Sequence, residues 1–176
     1  IGFVLIVAGV VWQNQKASAP QPFVIEVVQG ESVTSWDFKG AYTDNAELEA
    51  KAEAEIARLI GLLGSKKYTD YTLYISIANQ YNLKGDGKNG LIYLQKALAV
   101  NSTTTGLAWY NAGQLFVRLG VYETARFALE HAVAAQPILQ YQQALVDFLS
   151  AHFPADTEAI KSLQKAIQNS PGEASQ

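Results

Sequence analysis

The sequence has no cysteine and no methionine among its 176 residues, and only two histidines. Without cysteine there is no disulfide framework, no thiol nucleophile and no cysteine-bound zinc. The redox compartment stays open for the same reason. His131 follows Glu130 within a helical pattern, and His152 falls at the end of another. Neither has a carboxylate or histidine neighbour at metal-ligand spacing. Both read as partly exposed surface histidines, and no metal site is expected. An excess of basic charge is missing too. Thirteen basic and sixteen acidic residues are interspersed, for a net charge of -3. Nucleic acid selects a basic face, so it is not an expected partner. With no methionine, Ile1 is not a translational start, and a preceding segment is expected.

Phosphate chemistry is absent as well. The stretch GDGKNG, residues 85–90, has glycines but not the GxxxxGK[ST] order of a phosphate loop. It reads as a turn between helices. Nothing in the sequence supports an enzyme, a cofactor or a small-molecule substrate.

Hydrophobic residues make up 49% of the chain, enough for a sizeable core. The first twelve, IGFVLIVAGVVW, carry no charge. As a helix they would span roughly 18 Å, against a bilayer core of about 30 Å. Three readings compete: the end of a membrane helix, the core of a signal peptide, or a helix packed on other protein. Pro20 follows the small-residue stretch ASA at 17–19 and disfavours cleavage there. The membrane and protein-packed readings stand level.

Residues 15–22, QKASAPQP, form an extended linker, because two prolines stop a helix. FVIEVV at 23–28 then reads as an isolated strand within an extended region 15–43. A lone strand lies extended on its own domain or pairs with another subunit. Residues 44–64 are expected to be a capping helix. Asp44 or Thr43 would cap it, with Glu47 completing a capping box. Leu48, Ala52, Ile56, Leu59 and Leu63 recur on one face, and Gly64 closes it. Glu47, Glu49, Glu53 and Glu55 read as a solvated face offset by Lys51 and Arg58.

Beyond residue 70 the pattern changes scale. Helical periodicity runs 71–83, breaks at Gly85-Asp86-Gly87, and resumes to 100. It repeats over 107–119 and to 135, and again over 139–152 and 156–168. Ala125, Leu129, Ala132 and Pro137 return 34 positions later as Ala159, Leu163, Ala166 and Pro171. The earlier counterparts are Gly90, Leu94, Ala97 and Ser102. In the first helices, Trp109, Gly113, Phe116 and Gly120 answer to Tyr74, Ala78, Tyr81 and Gly85. This resembles the tetratricopeptide repeat, about three copies over 71–171. The middle copy carries the signature on Trp109, Gly113, Phe116, Gly120, Tyr122, Ala125, Ala132 and Pro137, with Ala112 departing from it. The third copy is irregular: Tyr141, Ala144, Leu145 and Phe148 fit only with a two-residue shift and a longer HFPAD turn. Residues 172–176 are a polar tail.

The expected fold is therefore all-α, a solenoid of helical hairpins preceded by an apolar helix (1–14), a linker and one strand. Small residues mark where paired helices approach closely. The resemblance implies a concave groove of first helices that binds protein segments. In members that clamp a C-terminal carboxylate, the groove supplies two asparagines plus lysine and arginine. Asn79 and Asn111 fall on the asparagine positions, but Ile75 replaces the lysine, and the third-copy basic positions are apolar or neutral. Carboxylate binding by that clamp is not implied. The groove residues are Asn79, Asn82, Tyr110, Asn111, Gln114 and Arg118, able to hold an extended segment by side-chain hydrogen bonds. NSTTTG at 101–106 includes an N-glycosylation sequon on Asn101, alongside its plainer reading as a capped loop.

Two functions follow as expectations. The first is a self-assembling, even filamentous, extracytoplasmic subunit. Its arm (Phe3, Leu5, Ile6, Trp12, Phe23, Ile25, Val27) would join copies of the chain. The second is a membrane-anchored adaptor, with residues 1–12 in contact with the membrane and the groove recruiting a partner protein.

Overall fold

The computed structural model describes residues 22–169. Within them seven helices follow one another: α1 (Ala46–Ile60), α2 (Asp70–Lys84), α3 (Gly87–Val100), α4 (Leu107–Arg118), α5 (Tyr122–Ala135), α6 (Leu139–His152) and α7 (Thr157–Asn169). Each packs on the next, most extensively within the hairpins α2/α3 and α4/α5. The apolar helix expected over 1–14, with Phe3, Leu5, Ile6 and Trp12, lies outside the described residues. So do Pro171 and the tail 172–176.

The turns explain where the helices stop. Gly85 adopts a left-handed conformation (φ 86) that ends α2, and Asp86 accepts from Asn89 N at 2.9 Å to start α3. GDGKNG is thus one helix end and one helix start. Three later helices, α4, α5 and α6, have no side-chain cap of their own. For α4 the Tyr71 hydroxyl accepts from Ala108 N at 3.2 Å, across from the preceding repeat. For α5 the cap is Glu31, some ninety residues away in sequence.

Packing follows the small residues. A Cβ added at Gly113 would come 2.6 Å from Leu129 Cγ, so α4 and α5 touch at this point only because glycine is there. At Gly106 a Cβ would lie 2.6 Å from Ala132 O and within 2.8 Å of the Tyr141 ring, where successive repeats meet. Phe116, Leu115, Leu94, Leu98 and Leu129 are fully buried around these points. Each such side chain contributes about 1.5–3 kcal/mol by burial. A smaller cluster of Ile56, Leu59, Leu73 and Ile77 joins α1 to α2. In the third hairpin Tyr141, Leu145 and Phe148 are buried. Its last helix, α7, buries no residue fully, because no described helix follows it. Arg126 ties that hairpin back to α5: it bonds Asp156 at 2.5 Å and Glu130 at 2.8 Å and lies over Phe153.

Four expectations are corrected. FVIEVV is not a strand. Among the described residues the one ladder-type pairing is a bridge between Asp37 and Asp86. Residues 23–28 instead run extended along the helices. Ile25 is 5% exposed, Phe23 meets Trp109 edge-on at 5.4 Å, and Val27 packs on the same core. Val24 is 58% exposed on the other side. The alternation reads as a strand because one side of an extended chain is buried, yet what buries it is helices. Nor is the segment without a bonding partner: Val28 N donates to Thr124 Oγ1 at 2.9 Å. Third, α1 is capped by Asn45, which accepts from Leu48 N at 3.1 Å, rather than by Asp44 or Thr43 with Glu47. Asp44 sits at φ 69 and Thr43 accepts from Gly40 N, so neither is placed to cap. The helix also ends at Ile60, with Gly64 four residues on in a left-handed turn.

Candidate groove and the arm that closes it

α2 and α4 lie side by side, and their exposed faces make a furrow. A cavity of about 440 Å³ there is lined by Asn79, Asn82, Tyr110, Asn111, Gln114 and Arg118, with Leu83 and Leu115 as its apolar wall. All six residues expected from the sequence are brought together. The two leucines were not among them, because their spacing is that of core residues.

The furrow is rich in amides. Asn111 Nδ2 donates to Asn79 Oδ1 at 3.3 Å, bridging the two helices. That bond leaves Asn79 Nδ2 as a donor and Asn111 Oδ1 as an acceptor for a ligand. Asn82 Oδ1 is buried without a hydrogen-bond partner, turned toward Gly90. Its amide nitrogen is thereby left to the groove side. Tyr110 stacks on Tyr141 at 5.1 Å, which fixes its ring against the next repeat. A second cavity of about 390 Å³ shares Asn79 and continues the furrow toward α1 through Thr72, Ser76 and Gln80.

At its other end the furrow meets the arm. Residues 36–43 clasp the α2–α3 turn: Phe38 N donates to Gly85 O at 3.0 Å, Tyr42 N to Leu83 O at 2.8 Å, and Gly87 N to Trp36 O at 2.9 Å. A Cβ on Gly40 would collide with Leu83 O, so only glycine lets the arm lie this close. Phe38, Lys39, Gly40 and Ala41 then form one wall of a further cavity of about 500 Å³. Asn82, Leu83 and Arg118 form the other. The Arg118 guanidinium lies 5.5 Å over the Phe38 ring. The sequence carried little sign of this clasp beyond one glycine in DFKGAYTD.

The opposite face is occupied by the chain itself. Glu31 accepts from Glu123 N and Thr124 N at 2.8 Å each and from the Thr124 hydroxyl at 2.7 Å. Burial pushes its carboxyl up, but these bonds, with the Tyr122 backbone, outweigh it and hold the group below its ordinary value. Thr124 is fully buried and makes no other use of its hydroxyl than to bind the arm at Glu31 and Val28.

His131 and His152 are packing groups. His131 bonds Phe127 O at 2.8 Å and rests on Trp109 and Phe127. His152 stacks on Tyr122 at 4.1 Å. Among the described residues no three acidic or histidine side chains gather to hold a metal, and no helix is long and apolar enough to cross a membrane. Asn101 folds back on its own loop. It accepts from Thr103 N and Thr104 N, and its Nδ2 donates to Thr104 Oγ1 at 2.7 Å. A glycan on that nitrogen would replace the last bond.

Residues 107–138 match the family model described as Tetratricopeptide repeat. The match covers α4, α5 and the loop after them. The seven-helix array around it is consistent with tetratricopeptide-like repeats on both sides. Comparison with curated proteins and with solved structures gave no match. Tetratricopeptide repeats are typically non-enzymatic scaffolds that bind proteins.

Proposed function

We propose that this chain is a non-enzymatic protein-protein interaction module that holds an extended segment of a partner protein in the α2/α4 furrow. One observation carries the reading: the bridged Asn79–Asn111 pair leaves one donor and one acceptor on the furrow. An extended backbone offers the complementary acceptor and donor. Half-buried Leu83 beside them supplies an apolar contact for a partner side chain. The test is capture of proteins on immobilised chain, with Asn79→Ala, Asn111→Ala and Arg118→Ala combined. Captured partners should be lost while helicity stays the same. Recovery of the same proteins by both forms removes the furrow from the account.

A second reading keeps residues 1–12 as an attachment, to a membrane or to another copy, in an extracytoplasmic setting. Their uncharged run supports it. Exchange of residues 23–28 between subunits is not part of this reading, since Phe23, Ile25 and Val27 are spent on the chain's own core. Removing residues 1–21 should abolish vesicle flotation or self-association if this reading holds; a truncated chain that behaves as before ends it.

A further inference from the structure

The two ends of the helices differ. At one edge of the array lie the N-termini of α2, α4 and α6, with the turns 61–69, 101–106 and 136–138. Bonds tie this edge together: Gly64 N donates to Asp70 Oδ1, Ala108 N to the Tyr71 hydroxyl and Gly106 N to Gln136 Oε1. Ile60, Tyr68, Val100, Leu107, Ile138 and Leu139 stand exposed along it, the last at 59%. At the opposite edge the large apolar residues this exposed are Val28 and Tyr122, among the described residues. Charge separates as well. Lys66 and Lys67 occupy the turn after α1, and Lys96 lies near the end of α3; all three are exposed. None of them is in an ion pair among the described residues. Lys67 lies 5.6 Å over the Tyr68 ring and Lys96 4.5 Å over Tyr93, which steadies their stems without neutralising them. The carboxylate in the same turn, Asp70, is committed to Gly64 N. The opposite edge mixes signs, with Glu31, Asp37, Asp44, Asp86 and Asp156 beside Lys39, Lys84 and Lys88. The chain also departs from the lysine edge. Pro22 and Phe23 line an apolar hollow of about 440 Å³ with Lys96, Ala99 and Val100. Residues 13–21 join Pro22 to the uncharged run 1–12. A segment of that length reaches at most about 30 Å. Whatever holds the run therefore holds this edge close to it.

From this placement we infer that the edge is a membrane-facing surface that rests on anionic lipid headgroups. The inference rests on the attachment reading above, taken with a bilayer, and adds how the repeats sit on it. Lys66, Lys67 and Lys96 meet the lipid phosphates and carboxylates. Tyr68, Leu107, Ile138 and Leu139 enter the headgroup boundary, where apolar side chains leave water. The chain's own opposite edge is a poorer match, since it offers mixed charge and fewer apolar tips. The helices run from edge to edge, so their axes stand on the bilayer. The α2/α4 furrow then opens to the side, where a partner segment reaches it without displacing lipid.

The sequence has no cysteine, so a single introduced cysteine can carry a fluorophore at a chosen place. Thr103→Cys and Gln140→Cys label this edge, and Lys88→Cys and Ala155→Cys label the opposite one; all four positions are exposed. Each labelled full chain is mixed with vesicles of phosphatidylcholine and phosphatidylserine that contain spin-labelled lipid as quencher. The first two labels should be quenched roughly threefold more than the other two. Vesicles of phosphatidylcholine without phosphatidylserine should remove most of that difference, and so should Lys66→Gln, Lys67→Gln and Lys96→Gln combined. Leu107→Ser with Leu139→Ser should reduce it too, with circular dichroism unchanged because both side chains are exposed. Flotation with the vesicles while the four labels are quenched alike overturns the edge and leaves attachment through residues 1–12 standing. Edge quenching that ignores both phosphatidylserine and the three lysines also overturns it. Edge labels that become shielded without vesicles, as the particle mass rises, mark contact between copies and overturn it as well. A chain that does not float with the vesicles removes membrane attachment and the edge together.

Discussion

The two faces of the repeat array have been used in opposite ways. On one, the arm's Phe23, Ile25 and Val27 fill the seam and Glu31 caps α5. On the other, α2 and α4 leave amides facing solvent across a furrow. The covered face is closed by burial and by a carboxylate that satisfies two backbone donors. The open face carries polar side chains whose bonding capacity is only partly spent. Apolar surface left in water is costly, so a chain that covers its apolar seam in cis keeps that seam from other proteins. Amides can wait in water at little cost and still bind when a matching backbone arrives.

The sharpest way to break this contrast is to destroy the hairpin that holds both faces. Gly113→Leu drives a side chain into Leu129. It should cost about 3 kcal/mol or more, read as a lowered melting midpoint. An unchanged melt would undo the α4/α5 register. Next comes the covered face alone. Ile25→Ala empties a buried site and should cost about 2–4 kcal/mol in denaturant titration, while amide exchange opens first in residues 22–31. Global exchange with no early opening there would mean the arm is not a separate layer.

A smaller effect is expected at Glu31, where the loss of a helix cap is worth about 1 kcal/mol. Its carboxyl is held below the ordinary value in the folded chain. The sign follows: its contribution is fully present above the unfolded value and is lost as pH falls through the lower, folded one. Glu31→Gln should flatten this part of the acid limb. An acid limb identical in both proteins would assign the pH dependence elsewhere. The least effect on stability belongs to the open face. Asn79→Ala with Asn111→Ala should change stability by no more than about 0.5 kcal/mol, since both side chains reach solvent. Yet it should weaken a bound segment severalfold by isothermal titration. A stability loss as large as that of Ile25→Ala would make the amide pair structural.

Much of this was legible beforehand, for local reasons. The 34-residue spacing of Ala125 and Ala159, and the glycines at 85 and 120, mark helix starts and stops that need only near neighbours to form. The groove residues were legible too. Once α2 and α4 are known to repeat, residues 35 positions apart must share a face. What stayed hidden was long-range. Nothing near Thr124 says that it will hold Glu31. Nothing near Phe38 says that Arg118 will lie over it. The cap of α1 went to Asn45 rather than Asp44, because Asp44 is turned to positive φ, a choice no capping pattern encodes.

The sequence by itself determined the hairpins: helix length, turn position and the small residues at the crossings are set by bonds and contacts within a few turns of chain. Only the tertiary structure decided which face would remain open. FVIEVV carries the alternation of any half-buried extended segment, and its pattern is satisfied equally by a sheet, by another subunit or by its own helices. The outcome turned on geometry brought together from afar. An uncapped α5 offered two backbone N–H groups, Thr124 offered a buried hydroxyl, and Gly40 let the chain pass close over Leu83. An extended segment tethered to the same domain reaches that seam at high effective concentration, before any partner chain can.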